Sequence, residues 1–325
     1  MPLNPDIEAY LDLVEAGRAS ANSCAMHALT PEQARREFDQ SSQLMNLDVA
    51  DVASIQSFDI PARDGHPLAA RLYADGTGAD SARGALLYFH GGGYVVGSLD
   101  SHDGLCRRLA AVSNAVVIAV AYRLAPQWRF PTAFQDAEDA WHWLAQQAEG
   151  LGLDPQRLAI GGDSVGGSLA AAVAQAVAEA PVETPRPCLQ LLFYPVMDAS
   201  RTRGSHDAFA NGYLLEKATL EWFYGHYQRT PEDRLDRRFS PLLGAVSARL
   251  APTWLLLAEY DPLLDEGLAY AAHLLEAGAA VELQVLDGLT HDFMRMEAVV
   301  EEVYELQRDW GRRLERWLGR PGEPA

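Results

Sequence analysis

The chain of 325 residues carries a formal net charge of −19, and 48% of its residues are hydrophobic while 22% are charged. These values are ordinary for a globular protein, and the length is ample for a buried core in one large domain or two small ones. Lys217 is the only lysine and no basic run occurs, so the sequence lacks the basic surface that nucleic-acid binding requires.

The sequence indicates neither secretion nor membrane insertion. Acidic residues occur early in the N-terminal segment, which has no continuous apolar core and is therefore unlike a signal peptide. No stretch approaches the roughly 18 apolar residues of a membrane-spanning helix. Cys24, Cys106 and Cys188 form no CxxC pair, which favours structural thiols over a zinc site or a disulfide framework. We therefore expect a cytoplasmic protein without stable membrane association.

Polar-rich helices are predicted before the first strand. In "TPEQARREFDQ", Thr30 is a residue type that caps helices, and Pro31 stands at the first helical position. Because these helices precede every predicted strand, we expect them to pack as an added layer and not as core. A β-hairpin is predicted next, over 55–73, with its turn at Asp64 and Gly65.

Apolar strands and helices alternate along most of the remaining chain. Strands are predicted at 84–90, 115–122, 157–162, 188–195, 253–260 and 281–288, and helices at 103–113, 131–148, 164–180, 263–278 and 297–318. This alternation indicates an α/β protein with a mostly parallel sheet that helices cover on both faces. The hairpin predicts antiparallel pairing at one edge of that sheet.

Residues 198–243 interrupt the alternation. A helix predicted within them, "KATLEWFYGHYQ", has these residues on one side: Leu220, Phe223, Tyr224 and Tyr227. In sheets of this kind, binding sites lie at the carboxyl ends of the strands. The inserted segment is therefore predicted to form a lid over such a site.

The strongest local signal is "IGGDSVGGS" at 160–168. It contains a G-x-S-x-G motif at the junction between a predicted strand and a helix of small residues. Gly162 and Gly166 permit a sharp turn that exposes the Ser164 hydroxyl, and the N-terminus of the following helix directs its amides to the same place. We interpret Ser164 as a nucleophile; a tight turn without chemistry is the alternative.

A nucleophilic serine requires a base and an acid that orients the base, and in this architecture the acid precedes the histidine. His291 directly follows the last predicted strand and is the predicted base, whereas His273 lies within a helix and is interpreted as packed or exposed. Asp261 follows the preceding strand and is the predicted acid, with Asp265 as the second candidate. Asp265 and Glu266 are otherwise interpreted as a charge pair at the surface near the start of a helix.

Three consecutive glycines in "LLYFHGGGYVVG" at 86–97 suggest a hinge, a phosphate-binding loop or a loop whose amides hold a developing negative charge. The phosphate interpretation lacks a G-x-x-x-x-G-K-[ST] motif, and a hinge explains neither the strand before the glycines nor the apolar residues after them. The glycines instead allow bare backbone to approach a substrate carbonyl, together with the N–H of Val165. His90 is interpreted as a hydrogen-bonding residue that shapes this loop.

Further motifs occur in order between about residues 55 and 295. They include "HGGG" at 90–93, "AYRLAP" at 121–126, "GDSVGG" at 162–167, "YP" at 194–195, "SPL" at 240–242, "YDPLLDEG" at 260–267 and "HDF" at 291–293. On these motifs the sequence resembles the hormone-sensitive-lipase-like esterases, or bacterial family IV, of the α/β-hydrolase fold. The resemblance implies a mostly parallel eight-stranded sheet with helices on both faces and a helical cap.

The resemblance also assigns the residues of the site. The implied catalytic triad consists of Ser164, Asp261 and His291. The implied oxyanion hole consists of the N–H groups of Gly91, Gly92 and Val165. Gly93 carries no donor role in this interpretation and shapes the wall that faces the alcohol. The predicted substrate pocket includes Tyr94, Phe223 and Tyr224. Members of the family mostly hydrolyse short-to-medium acyl esters without a metal or cofactor.

Five segments follow from this resemblance. Residues 1–45 are helices that contribute to the cap, 46–197 and 244–319 form the catalytic core, 198–243 form the cap insertion, and 320–325 form a flexible tail. We also expect that two chains can dimerise through the edge strand that contains "VELQVL".

The sequence departs from the family pattern at four positions near the motifs. Val165 replaces the usual alanine and adds a β-branched side chain that crowds the acyl or alcohol pocket. Ser168 stands where asparagine is common, Gln127 where glutamate is common, and Tyr94 where phenylalanine is frequent. These changes alter polar contacts around the site without replacing a predicted triad residue.

We therefore predict a serine carboxylesterase that acts on a small-molecule ester. An amidase, formamidase or deacetylase with the same triad is the first alternative. A ligand-binding receptor of this fold is the second, and the presence of His291 argues against it. A long-chain lipase is the third, since the aromatic face of the lid would bind lipid.

Overall fold

A mixed β-sheet runs through the centre of the protein. The computed structural model describes residues 2–20, 23–46, 49–75 and 83–318. The strands of the sheet are β1 (Ser54–Pro61), β2 (Pro67–Ala74), β3 (Arg83–Phe89), β4 (Val116–Val120), β5 (Leu153–Asp163), β6 (Gln190–Phe193), β7 (Thr253–Tyr260) and β8 (Val281–Thr290). Their spatial order is β1-β2-β4-β3-β5-β6-β7-β8, so β1 and β8 form the edges.

Strand direction follows the prediction. β2 pairs antiparallel with both β1 and β4, whereas the other neighbouring strands of the sheet pair in parallel. The hairpin turn lies at the predicted place, where the Gly65 N–H donates to the carbonyl of Ala62 at 2.8 Å. The predicted eight-stranded, mostly parallel sheet with an antiparallel edge is confirmed.

Helices cover both faces of the sheet. Within the described residues they are α1 (Pro5–Ala19), α2 (Pro31–Met45), α3 (Asp103–Ser113), α4 (Thr132–Gln147), α5 (Val165–Glu179), α6 (Gly204–Ala208), α7 (Lys217–Tyr227), α8 (Leu264–Glu276) and α9 (Glu301–Leu318). None of the helices in this part of the chain is long and apolar enough to cross a membrane.

The apolar side chains form two cores, one on each face of the sheet. Along β3, Leu87 and Phe89 belong to one core and Leu86 and Tyr88 to the other, because consecutive side chains of a strand point to opposite faces. Helices α4, α5 and α8 pack into the first core, and α3 and α9 pack into the second. All five residues of β4 are buried, which agrees with a strand covered on both faces.

Residues of the N-terminal helices and of the inserted segment line one cavity together with Ser164 and His291, which follow the carboxyl ends of β5 and β8. Thr30 caps α2 as predicted: its hydroxyl accepts the Gln33 N–H, and the Gln33 side chain accepts the Thr30 N–H. Helix α1 buries only Ile7 and Leu11, as expected for an added layer. The division into cap and core segments stays a prediction, and the tail at 320–325 lies outside the described residues.

Candidate active site

Ser164 lies on a sharp turn between β5 and α5. Its backbone has φ 53° and ψ −124°, a conformation that non-glycine residues rarely adopt. A Cβ added at Gly166 would lie 1.9 Å from the carbonyl oxygen of Phe89, and one at Gly162 would lie 2.3 Å from the same oxygen. Both glycines are therefore required by close backbone approach, and the turn presents the Ser164 side chain to the cavity described below.

Three side chains from three strand ends form a hydrogen-bonded chain. Ser164 Oγ lies 3.0 Å from His291 Nε2, and His291 Nδ1 lies 2.7 Å from Asp261 Oδ2. The other oxygen of Asp261 accepts the N–H of Leu263 at 2.9 Å, which holds the carboxylate in place. The structure thus brings together the three residues that the sequence indicated for nucleophile, base and acid.

The electrostatic setting of His291 favours its protonated form. Burial of the imidazole by itself lowers its pKa. The charge and hydrogen bond of Asp261, together with the nearby carboxylates of Asp292 and Asp163, outweigh burial and raise the pKa of His291 above its ordinary value. Such a histidine can take a proton from a serine hydroxyl and hold it as a stabilised imidazolium.

The other candidate residues lie outside this chain of hydrogen bonds. Asp265 accepts the N–H of Ser205 at 2.9 Å, and His273 Nε2 lies 2.9 Å from the carbonyl oxygen of Gly244. The expectation that Glu266 lies at the surface is wrong, because the residue is fully buried. Burial raises the pKa of Glu266 to about 8.

Glu266 links two segments beneath the site. Its Oε1 accepts the N–H of Met197 at 2.6 Å and that of Asp198 at 3.3 Å. Its side chain therefore ties the start of α8 to the segment after β6. Sequence reasoning missed this role, because an acidic pair near a helix N-terminus is equally common at an exposed position.

The glycine turn after β3 forms one side of the site, with a correction to the predicted donors. The N–H of Gly91 donates to Asp163 Oδ1 at 3.0 Å, so it is not free to bind an oxyanion and its prediction as a donor is wrong. Gly92 and Gly93 have φ of 110° and 60° and line the cavity. Their N–H groups, like that of Val165 at the start of α5, donate to no protein acceptor among the described residues.

Asp163 supports this turn from below and was not singled out by the sequence. Its carboxylate accepts the Tyr88 hydroxyl at 2.6 Å and lies 3.3 Å from His102 Nε2. Burial by itself raises the pKa of Asp163, but His102 and the Tyr88 hydroxyl outweigh it and hold that pKa at about 2. A buried carboxylate thus accepts the N–H of Gly91, whereas the N–H groups of Gly92 and Gly93 have no protein acceptor among the described residues.

His90 shapes the same turn, as the sequence predicted. Its Nδ1 lies 2.7 Å from the carbonyl oxygen of Gly91, and its ring stacks on Tyr122 with centroids 4.4 Å apart. Burial lowers the pKa of His90 to about 3, so the imidazole is neutral near pH 7. The side chain therefore orders the loop and contributes no charge to it.

The predicted pocket residues divide between the cavity and the core. Phe223 and Tyr224 line the cavity, and a Cβ added at Gly93 would lie 2.1 Å from the ring of Phe223. Tyr94 does not line it: the residue is fully buried, and its ring stacks on Tyr227 with centroids 3.8 Å apart. Its prediction as a pocket residue is therefore wrong.

The cavity above Ser164 has a volume of about 350 Å³. Its walls come from α1, α2, residues 214–224 and the two loops that carry Ser164 and His291. The lining residues include Val14, Phe38, Met45, Val165, Leu215 and Phe223. This volume lies at the small end of the roughly 300–1,000 Å³ of small-molecule sites. The mostly apolar cavity therefore suits a compact ligand with an apolar body.

Cys24 departs from the expectation that all three cysteines are structural. Its side chain is exposed and lies at the rim of the cavity, whereas Cys106 is buried and Cys188 is half-buried. The thiol belongs to the short segment between α1 and α2, whose residues the sequence had placed only as a covering layer.

The fold and this site together define the class of α/β-hydrolases. Residues 86–295 match the family described as the alpha/beta hydrolase fold. The chain belongs to this family, within its hormone-sensitive-lipase-like group of carboxylesterases, as the motifs predicted.

Similar proteins are ester hydrolases. An ethyl acetate hydrolase from Pseudomonas putida is 56% identical over 306 residues, which are 94% of this chain and 96% of that protein. The carboxylic ester hydrolase LipN of Mycobacterium tuberculosis is 40% identical over 256 residues, which are 78% of this chain and 66% of that protein. The structure of the ester hydrolase EH1AB1, from the metagenome of Lake Arreo, has a TM-score of 0.91 at 35% identity, covering 97% of this chain and 98% of that chain. This protein is a carboxylesterase.

Proposed function

We propose that the protein hydrolyses short-to-medium acyl esters through an acyl-enzyme on Ser164, with His291 as base and Asp261 as the orienting acid. The observation that carries the proposal is the continuous contact from Ser164 Oγ through the imidazole to Asp261, at 3.0 and 2.7 Å. These distances are those of hydrogen bonds in a nucleophile–base–acid arrangement.

In the first half of the reaction, Ser164 Oγ attacks the ester carbonyl while His291 Nε2 takes the hydroxyl proton. The oxygen of the tetrahedral intermediate is held by the N–H groups of Gly92, Gly93 and Val165. His291 then gives its proton to the leaving alcohol, and the acyl group remains on Ser164. Asp261 keeps the proton of the imidazole on Nδ1 and stabilises the imidazolium.

In the second half, water takes the place of the alcohol. His291 Nε2 accepts a proton from this water as the water oxygen attacks the acyl carbonyl. The same three amides hold the second oxyanion, and the proton returns to Ser164 Oγ as the acid departs. In both halves His291 acts first as a base and then as an acid, so Ser164 and His291 regain their starting protonation states at the end of the cycle.

The size of the cavity and the name of one relative both support a small substrate. A volume of about 350 Å³ has room for a small ester, and the P. putida relative that is 56% identical is named an ethyl acetate hydrolase. Val165 and Phe223 line the cavity together with Ser164, so their side chains take up space beside the nucleophile. Esters with short-to-medium acyl chains therefore form the proposed substrate class.

A substrate panel tests this proposal. We expect p-nitrophenyl acetate and butyrate to have the highest kcat/KM, with a steep decline toward the palmitate ester, because the cavity limits chain length. Matched anilides and N-formyl substrates serve as controls for the amidase and formamidase alternatives, which use the same triad. Higher kcat/KM on an anilide than on its ester, or a maximum at palmitate, would contradict the proposal.

The pH dependence of the reaction follows from the pKa of His291. The base must be neutral to accept the serine proton, so kcat/KM falls as the pH drops through that pKa. Because Asp261 raises the pKa of His291, we expect the acidic inflection above the ordinary histidine value of about 6.5. Initial rates on p-nitrophenyl acetate in buffers of constant ionic strength measure the inflection. An inflection in the carboxylic-acid range, near pH 4, would assign the base to another residue.

A further inference from the structure

The N-terminal helix α2 is bonded directly to the glycine turn of the site. Arg35, on the second turn of α2, donates from Nε to the carbonyl oxygen of Val95 at 2.7 Å. Its Nη2 donates to the carbonyl oxygen of Ala125 at 2.7 Å and to Oε1 of Gln127 at 2.8 Å. One guanidinium thus joins α2, the segment after the glycines and the "AYRLAP" loop.

The carbonyls that Arg35 binds belong to the two residues that close the turn. The N–H of Val95 donates to the carbonyl oxygen of Gly92 at 3.0 Å, and the N–H of Ala125 donates to that of Tyr94 at 2.8 Å. Val95 and Ala125 therefore each donate their N–H to the glycine turn and accept a hydrogen bond from Arg35 at their C=O. Movement of the guanidinium would be transmitted to Gly92 and Tyr94, which flank Gly93.

The three acceptors of Arg35 are neutral oxygens, so the side chain forms hydrogen bonds with them and no ion pair. Gln127 supplies an amide oxygen at a position where glutamate is common in the family. The planar guanidinium donates in fixed directions, so it holds several acceptors at set angles in a way that the single ammonium of lysine does not. Its contribution here is geometric and does not depend on an ion pair.

We propose that Arg35 is a positioning residue that holds the amides of Gly92 and Gly93 where the oxyanion develops. The proposal rests on the function proposed above, in which those amides bind the tetrahedral intermediate. Donors to an oxyanion act by being aimed in advance at the charge that appears in the transition state. A turn that loses its support therefore loses transition-state stabilisation more than substrate binding.

We expect Arg35→Ala to lower kcat on p-nitrophenyl acetate by about 10- to 100-fold, less than the loss of an oxyanion donor itself, with little change in KM. Arg35→Lys keeps the charge and one donor group, and its kcat should lie between those of Arg35→Ala and the wild type. The matched control is Arg36→Ala, because Arg36 is the next residue on α2, is exposed, and makes no hydrogen bond or ion pair with the described residues. Its kcat and KM should equal those of the wild type.

A second control separates positioning from simple docking of α2, whose Phe38 and Met45 also line the cavity. Thr30→Ala removes the side-chain N-cap of α2, which destabilises the start of the helix, and leaves the acceptors of Arg35 intact. It should change KM or thermal stability without lowering kcat by the factor seen for Arg35→Ala. An equal fall of kcat in Thr30→Ala would overturn the proposal.

The inhibition constant of a trifluoromethyl ketone distinguishes a positioning role of Arg35 from a merely structural one, because a merely structural role would leave this constant unchanged. This inhibitor forms a tetrahedral adduct with the serine, so its affinity follows transition-state binding. We expect its Ki to rise in Arg35→Ala by the same factor by which kcat/KM falls, and in Arg35→Lys by the smaller factor of that variant. If Arg35→Ala does not fold, the comparison between Arg35→Lys and Arg36→Ala decides the proposal.

An unchanged kcat, or a rise in KM alone, would overturn the role of Arg35. That result leaves the proposed function intact, because the nucleophile is tested by replacement of Ser164. Conversely, an active Ser164→Ala enzyme would overturn the proposed function whatever Arg35 does. The two failures are therefore distinguishable in one set of variants.

Discussion

Ser164→Ala is expected to lower kcat on p-nitrophenyl acetate by about 10⁶-fold, the loss found when the nucleophile of a serine–histidine–acid triad is removed. The reason is that Ser164 Oγ is the group that bonds His291, and alanine leaves the imidazole without a nucleophile to activate. The amides of Gly92, Gly93 and Val165 remain, so a small residual rate above that of water is expected.

Measurement of this effect needs a control for contaminating host esterases and for misfolding. Ser168→Ala is the matched variant, because Ser168 is a buried serine in the first turn of α5, close in sequence to Ser164. Its hydroxyl donates to the carbonyl oxygen of Val196. It should retain activity and react with a fluorophosphonate probe, whereas Ser164→Ala should not be labelled. Retention of more than a few per cent of activity in Ser164→Ala would overturn the assignment of the nucleophile.

The three residues of the proposed relay could be identified from sequence because each follows a recognisable strand. Ser164 directly follows β5, Asp261 directly follows β7, and His291 directly follows β8. The carboxyl ends of parallel strands lie at the same edge of a sheet. Alternation of apolar strands and helices was enough to place them side by side. The bounds of the strands were less well predicted. The strand predicted at 157–162 begins earlier, at Leu153, and the sequence did not indicate the shift in its register with β3 between Arg83 and Ala85.

The choice among the three consecutive glycines could not be made from sequence. Which amide faces the site depends on the φ angles along the turn and on Asp163, whose carboxylate captures the N–H of Gly91. That capture requires Tyr88 and His102 to hold Asp163 from two other segments. A contact of this kind depends on tertiary structure, so Gly92 and Gly93 can be proposed as the donors only once the fold is known.

Burial of polar side chains was the second kind of information that the sequence lacked. Glu266 was expected at the surface because it follows Asp265 near a helix start, yet amides from the segment after β6 draw its carboxyl into the interior. Tyr94 was expected in the pocket, yet the turn directs its ring onto Tyr227 from the inserted segment. In both cases the partner lies far away along the chain, where local patterns carry no signal.

Asp261→Asn is expected to lower kcat by about 10⁴-fold while the protein remains folded. The carboxylate accepts the Nδ1 proton of His291, and this leaves Nε2 free to take the proton of Ser164. An asparagine amide that donates to Nδ1 instead places the imidazole proton on Nε2, which then cannot act as a base. The loss of the negative charge also removes the main cause of the raised pKa of His291.

The pH profile separates this explanation from a general loss of structure. Without the carboxylate the pKa of His291 falls, so the acidic inflection of the residual activity should move to lower pH than in the wild type. Asp265→Asn is the matched control, because Asp265 belongs to the same motif and bonds Ser205, away from the relay. It should keep the wild-type inflection and nearly all of kcat. A 10⁴-fold loss in Asp265→Asn with an active Asp261→Asn would transfer the role of the acid to Asp265, since only the carboxylate that contacts His291 during turnover can control its tautomer.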